Sequence, residues 1–430
     1  MILSLIGFVA LLIIAFLGFP LGFSMMLVGF VGFAWVRGIG PALETVSQQI
    51  LDLALNANFV TLPLFVLMGV FVFRAALAED IYEAAQAWLG NKRGGLAMAT
   101  VAACGGFASI SGSSVATAAT MAKVSIPPMR KYNFNEGFAA GTVAAGGTMG
   151  ILIPPSAALI VYGILTEQSI GDLFIAGIVP GLITIALYIA VIWLVAWFFP
   201  ELAPRAPKSP WSHRWRTLSK IWAVLVLFLV IIGGISFGVF TPTEGGGIGA
   251  VGALLFAIAR KKMNLKIFFY GLAEAAETSA MIFTIAFGAL ILNNFVNIAE
   301  MPNDIVDFIK SLNIAPIYVI LVVLLIYILL GTIIEGLAMI FLTVPIFVPL
   351  VDAMGFDLIW FGIVMVMVVE ISLITPPIGL NVFVIKSMMP HVPLSAMFKG
   401  IAPFFAADIV RLMLVVFIPG LALWLPNLLR

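Results

Sequence analysis

Two adjacent prolines in an apolar setting occur twice in the chain, as Ile153-Pro154-Pro155-Ser156 and as Thr375-Pro376-Pro377-Ile378. The interval from Pro154 to Pro376 is also the interval from Pro20 to Pro242. A proline pair removes two backbone donors and disfavours helix at the residue before it, so carbonyls upstream lose their partners. Lipid offers no replacement hydrogen bonds, and such breaks must be buried in protein or line a wet cavity. The register predicts two copies of one membrane unit. Matched interruptions in two halves are also the sequence pattern that points to the binding site of a secondary transporter.

Membrane residence follows from composition. With 63% hydrophobic residues, 10% charged residues and a mean hydropathy of +1.20, the 430 residues have too little polar surface to cover a soluble globule. The apolar runs lack the alternation of barrel strands, so the spans are expected to be helices. The run Met1 to Trp35 contains no charge, no basic leader and no small-residue cleavage pattern, and reads as retained membrane helix. A net charge of +1 with scattered basic residues gives no reason to expect nucleic acid. The single cysteine, Cys104, sits beside glycines and reads as a small apolar residue.

The clearest break in the chain is the basic, proline-rich stretch 201–220, which carries Arg205, Lys208, Arg214, Arg216 and Lys220. It divides a first membrane repeat, 1–200, from a second, 221–430. A second basic cluster, Arg260-Lys261-Lys262 with Lys266, lies two apolar segments later, so both clusters fall on one side, which the positive-inside bias makes cytoplasmic. Shifting the first half by the interval between the proline pairs matches segments 2–36 with 221–259, each pivoting on its proline. Weakly amphipathic stretches at 43–55 and 265–277 then pair as interfacial helices. Spans at 57–77 and 279–299, at 94–110 and 316–334, and final runs at 171–199 and 400–426 follow. Inversion of the repeats needs an odd number of crossings per half. About six apolar segments are counted besides the interrupted region, so a parallel repeat stays open on these grounds.

The stretch Gly105 to Thr117 is too rich in glycine and hydroxyls for a lipid-facing helix. It reads as a re-entrant hairpin with its tip near Ser111 to Ser114, the alternative being close packing of small residues. Gly146 to Gly150, just before the first proline pair, reads as unwound helix. Freed carbonyls with Ser or Thr hydroxyls suit a hard cation such as sodium. A carboxylate would sit at the positive ends of half-helices beside Ser113, Ser156 and Asn381. In the second half, Gly331-Thr332-Ile333-Ile334-Glu335 takes the place of Ser111-Gly112, and an acidic residue there is expected to face a cavity or a partner. Glu370 reads equally as an ion or proton site and as the partner of a basic side chain. Lys386 is expected to reach the interface, and Thr241-Pro242-Thr243-Glu244 to start a helix. His213 and His391 have no second histidine at metal-ligand spacing, and no nucleotide-binding P-loop is present.

Several of these motifs, taken in order over the whole chain, resemble the large membrane subunit of the tripartite ATP-independent periplasmic (TRAP) transporters. They are Gly112-Ser113-Ser114, the run Gly147 to Ser156, Thr241-Pro242-Thr243-Glu244, Thr375-Pro376-Pro377-Ile378-Gly379-Leu380-Asn381, Pro403-Phe404 with Asp408, and Leu425-Pro426. The resemblance implies an all-α polytopic protein of two inverted repeats with two re-entrant hairpins, moving as an elevator in a bacterial inner membrane. It implies sodium-driven uptake of an organic acid of the sialic acid or C4-dicarboxylate class. It also implies two partners, a separate small four-helix membrane subunit and a periplasmic substrate-binding protein. Carried over residue by residue, one sodium is expected near Ser111, Ser113, Gly150 and Ile153, and a second near Gly331, Thr332, Thr375 and Gly379. Substrate is expected near Ser113, Ser156, Glu335 and Asn381, with Ser169 a further candidate. The competing readings are a proton-coupled anion transporter of another family and an organic-anion channel. An intramembrane enzyme would need a nucleophile with its base or paired acids, and no such constellation stands out.

Overall fold

The computed structural model describes residues 2–312 and 314–429, and among them there is no β-strand. The first half runs α1 (Ile2–Phe16), α2 (Leu21–Arg37), α3 (Ile39–Leu55), α4 (Thr61–Arg74), α5 (Leu77–Leu89), α6 (Gly95–Ser111), α7 (Ser114–Lys131), α8 (Glu136–Thr148), α9 (Ala157–Thr166) and α10 (Ile170–Phe198). After α11 (Trp211–Leu218) come α12 (Trp222–Ser236), α13 (Pro242–Ala259), α14 (Leu265–Ile298), α15 (Met301–Ser311), α16 (Pro316–Gly331), α17 (Gly336–Ala353), α18 (Leu358–Ser372), α19 (Leu380–Met388), α20 (Leu394–Phe417) and α21 (Gly420–Leu429). Among the described residues, seven helical segments are long and apolar enough to cross a bilayer, including Ile170–Phe198, Leu265–Ile298 and Leu394–Phe417.

Helix boundaries recur at the interval set by the prolines. Helices α7 and α17 keep that interval at both their starts and their ends, and α2 with α13 and α9 with α19 keep it to within a residue. Pro20 and Pro242 open α2 and α13 as expected, and Thr241 with Glu244 closes a capping box at the second of these. The register fails in two places. Asn56 leaves the helical conformation and accepts the Asn58 N–H at 3.0 Å, separating α3 from α4. In the second half nothing equivalent intervenes, because the Thr278 and Ser279 hydroxyls fold back onto the Glu274 and Ala275 carbonyls of their own helix. Residues 265–277 are therefore not a separate interfacial helix. They form the start of a 34-residue helix, about 51 Å long and well beyond a hydrocarbon core of roughly 30 Å. The final run 400–426 is likewise divided, at Ile418-Pro419.

Glycines set the closest helix pairs, as membrane interiors favour. A Cβ on Gly22 would lie 2.8 Å from the Thr284 carbonyl oxygen, and one on Gly29 2.6 Å from the Leu292 backbone, so α2 and α14 touch through their main chains. Helices α13 and α4 pack through Gly246 and Gly249 against Leu64 and Met68, and α8 meets α20 where Gly141 faces Gly400. Gly146 and Gly147, expected to be unwound, are helical. They are small because Cys104 and Ala118 press on them. Unwinding starts later, at the tight turn Met149–Ile151.

The basic stretch after α10 is not a loose tether. Its Leu202 and Ala203 carbonyls accept the Asn135 and Gly94 N–H groups at 3.0 and 2.9 Å, and Ala203 is fully buried. On α11, the Arg214 guanidinium lies 4.9 Å from the Trp211 ring and 5.9 Å from that of Trp88 on α5. Lys220 pairs with Glu83 at 2.6 Å, Arg260 pairs with Asp80, and Arg260 also reaches the Lys220 carbonyl at 3.2 Å. The two basic clusters thus meet on one side of the molecule, around α5. On that side Glu136 joins His391 and Arg130, each at 2.9 Å, and the His391 hydrogen bond holds its carboxyl below the usual carboxylate range.

Glu370 proves to be the partner of a basic side chain. Arg411 lies 3.0 Å from Glu370 and 3.2 Å from Asp408, while Tyr188 donates to Asp408 at 2.7 Å and Arg411 donates to Thr184. Glu370, Asp408 and Arg411 are fully buried and tie α18 and α20 to α10. Taking one partner from a buried pair leaves uncompensated charge and costs about 3–5 kcal/mol. Arg411→Met should therefore lower the thermal midpoint of the purified protein steeply, and adding Glu370→Gln with Asp408→Asn should recover much of the loss. A triple variant no better than Arg411→Met would show that the charges do not stabilise one another.

Candidate functional site

The turn between α6 and α7 consists of Gly112 and Ser113 alone. Gly112 adopts the left-handed conformation, with φ of +62°, and Ser113 is extended, its hydroxyl accepting the Ala116 N–H at 3.4 Å. The turn between α16 and α17 spans 332–335, and Glu335 caps α17 by accepting the Ala338 N–H at 3.1 Å. Both Ser113 and Glu335 thus stand immediately before their helices, and Glu335 answers Ser113 rather than Ser111-Gly112. The longer second turn accounts for the displaced alignment.

Each hairpin tip rests against a broken helix of its own half. A Cβ on Gly112 would lie 3.1 Å from the Pro155 carbonyl oxygen, and one on Gly150 would meet the Ser113 carbonyl and the Thr117 hydroxyl. Thr117 donates to the Ser113 carbonyl at 2.7 Å, so its 2.7 Å contact with Ser111 makes Ser111 the donor there. Ser111, Ser113 and Gly150 thus come together, with Thr117 as a neighbour the motif does not single out. Ile153 lies buried in the same irregular segment. In the second half Gly331 packs onto the Ser372 side chain at the end of α18. Ser372 is missing from the sequence candidates, although its place just before the Thr375-Pro376-Pro377 break is a usable signal. The Thr332 and Thr375 hydroxyls donate to Leu329 and Ile371 at 2.7 and 2.6 Å, and Gly379, with φ of +62°, precedes α19. These donors are uncharged oxygens, the set a hard monovalent cation accepts. Asn381 Oδ1, fully buried, has no hydrogen-bond partner among the described residues, while its Nδ2 donates to Ala144 at 3.2 Å.

A cavity of about 510 Å³ lies between these tips and helices α4 and α14. Its wall includes Ser111, Ser113 and Ser114 from the first tip, Glu335 and Gly336 from the second, Ala157 and Ala158 at the start of α9, and Leu380 at the start of α19. The N-terminal ends of four helices, α7, α9, α17 and α19, therefore face one space. Each contributes partial positive charge and amide N–H groups. Ser113 and Glu335 are in the wall. Ser156 is buried behind it, donating to the Ile151 carbonyl and capping α9 through the Leu159 N–H at 3.2 Å. Asn381 is also behind the wall, and Ser169 caps α10 away from the cavity. Lys386, near the end of α19, donates to the Pro390 and Val392 carbonyls of the following loop, both at 2.7 Å.

Residues 8–421 match the family model described as the tripartite ATP-independent periplasmic transporter, DctM component. The chain is 35% identical to a C4-dicarboxylate TRAP transporter large permease protein of Pseudomonas aeruginosa over 90% of both chains. It is 30% identical to a sialic acid TRAP transporter large permease protein of Vibrio cholerae, over 99% of this chain and 98% of that one. An ectoine/5-hydroxyectoine large permease protein of Ruegeria pomeroyi is 28% identical over 98% of both. Among solved structures, the Alcanivorax borkumensis YdaH transporter shares the fold with a TM-score of 0.62 over 90% of both chains at 14% identity. A helical chain with several apolar spans, matched over nearly its whole length, belongs to the TRAP transporter family as a large permease subunit.

Proposed function

We propose that this subunit carries an organic acid across a bacterial inner membrane in symport with sodium. The observation that carries the reading is the convergence of four helix N-termini on one cavity, which favours an anion. The cavity's volume falls within the range of small-molecule sites, roughly 300–1,000 Å³. Sodium would be held by the Ser111 and Ser113 oxygens with Gly150 and Ile153, and by Gly331, Thr332, Thr375 and Gly379. When bound, the ion supplies positive charge beside the cavity, and the chain's own part is to present uncharged oxygens to it. Serine hydroxyls on the first tip orient the acid. Relatives named for C4-dicarboxylates and for sialic acid support an organic acid of one of those classes. Family membership implies a small four-helix membrane subunit and a periplasmic binding protein that delivers the substrate.

The two halves, in this reading, are inverted repeats. Their packing is reciprocal: α7 lies on α19 and α17 on α9, α8 on α20 and α18 on α10, α4 on α13 and α14 on α2. Helix α4 and the part of α14 that answers it run antiparallel, since Phe59 meets Phe283 while Arg74 pairs with Glu274 at 2.7 Å. Parallel repeats would place them side by side in one direction. The hairpins with their broken helices form the body that moves, and α2, α4, α13 and α14 form the frame it slides against. The cavity reaches Phe73 and Glu274, on the side of the basic clusters, which corresponds to an inward-facing position.

Reconstituted with both partners in liposomes, the protein should accumulate its acid only under an inward sodium gradient; uptake indifferent to sodium would reject the coupling. Ser113→Ala removes one oxygen contact, worth about 1–1.5 kcal/mol, and should weaken the apparent sodium affinity about tenfold. Unchanged sodium activation would take Ser113 out of the site. Gly150→Val, whose side chain collides with the Ser113 carbonyl, should abolish sodium-dependent uptake, and normal uptake by a folded Gly150→Val protein would refute that packing.

A further inference from the structure

Among the described residues, three charged side chains line the cavity, and two of them are already engaged. Glu274 pairs with Arg74 at 2.7 Å, and Glu335 accepts the Ala338 N–H. The third, Lys123, has no ion pair and no hydrogen bond among the described residues, and its ammonium lies 6.0 Å from the Phe73 ring. It stands on the face of α7 that lines the cavity turn by turn, after Ala116, Ala119 and Thr120. Small side chains there leave a path from the Ser113 tip to Lys123. The repeat-related position, at the interval that separates the starts of α7 and α17, is Pro345 in the second hairpin. The repeat therefore does not require a charge at this place, and Lys123 endows one face of the protein only. That face carries the basic clusters, because α4 leads from Phe73 and Arg74 into α5, which binds Lys220 and Arg260. Lys123 is exposed at the mouth of a largely apolar cavity and has no ion-pair partner of its own among the described residues, so it can draw an anion to that mouth.

We propose that Lys123 is the substrate-carboxylate contact of the cavity's inward mouth, drawing the acid from the hairpin tips toward the side where it is released or, in reverse, captured. This rests on the reading of the cavity as an organic-acid site.

The single cysteine makes a direct test available. In a Cys104→Ala background, Ala119→Cys places a thiol one turn from Lys123. The rates at which it reacts with anionic sulfonatoethyl and cationic trimethylammonioethyl methanethiosulfonate report the local field. Lys123→Gln should lower the anion-to-cation rate ratio about tenfold, and Lys123→Arg should restore it. A ratio unmoved by Lys123→Gln overturns the proposal. In inside-out vesicles, Lys123→Gln should raise the half-saturating concentration of N-acetylneuraminate or succinate, whichever the unmodified protein carries, about tenfold, with less than a twofold change in right-side-out vesicles. Equal changes on both faces, or none, would overturn the assignment to the inward mouth. Should the unmodified protein carry no organic acid at all, the transport reading falls, and the labelling ratio still decides whether Lys123 gathers anions.

Discussion

Backbone groups released from hydrogen bonding deep in an apolar protein cost several kcal/mol each unless something meets them. Several of them find named partners: Ser114 of the first tip donates to the Thr148 carbonyl at 3.0 Å, Ser156 to the Ile151 carbonyl and the Asn381 N–H to the Leu373 carbonyl at 3.1 Å, while Gly112 and Gly331 let the tips pack closely on the breaks. Tip and break are complementary surfaces, and separating one from the other would expose polar backbone to hydrocarbon. Each hairpin is therefore bound to its broken helix as a unit. The cavity lies between these units and helices α4 and α14, and the starts of α7, α9, α17 and α19 line it.

Arg411 performs the comparable service for charge. One guanidinium answers two carboxylates in a fully buried setting and connects three long helices behind the first broken segment. Such a cluster specifies one arrangement of α10, α18 and α20, since any slip of a turn would strand a charge. The docked basic stretch does similar work at the membrane face, where backbone hydrogen bonds from Gly94 and Asn135 hold it against the ends of the first hairpin and α8.

The large features are legible in the sequence because they are written in residues with strong local physics. Proline pairs, glycine at the first tip and the Thr241 capping box announce breaks and starts by themselves, and the apolar runs announce spans. The misreadings share a different cause. Gly146 and Gly147 look like unwound chain, yet a glycine serves a tight crossing as well as a loose turn, and only the presence of Cys104 and Ala118 decides between them. Residues 265–277 look like a surface helix because apolar residues at helical spacing alternate there with Glu274 and Glu277, but the capping residue Asn56 has no equivalent and the helix runs on. Thr117 does not stand out, since a hydroxyl bonding its own helix and one facing a tip look alike in sequence, whereas Ser372 is marked by its place just before the second proline pair. The motifs offer Ser156 and Asn381 beside the cavity, and both stand just behind its wall, where Ser156 donates to the Ile151 carbonyl and Asn381 donates to Ala144 while its Oδ1 has no partner among the described residues.

The hydrogen bond from Tyr162 to the Leu358 carbonyl at 2.6 Å, and that from Asn381 to Ala144, cross from one half of the chain to the other. Together with the helix pairs formed across the halves, they bind the two halves into one packed body. One hairpin cannot tilt by itself: α7 is packed on α19 and α17 on α9, so a displacement at either tip is handed on to the broken helix of the other half.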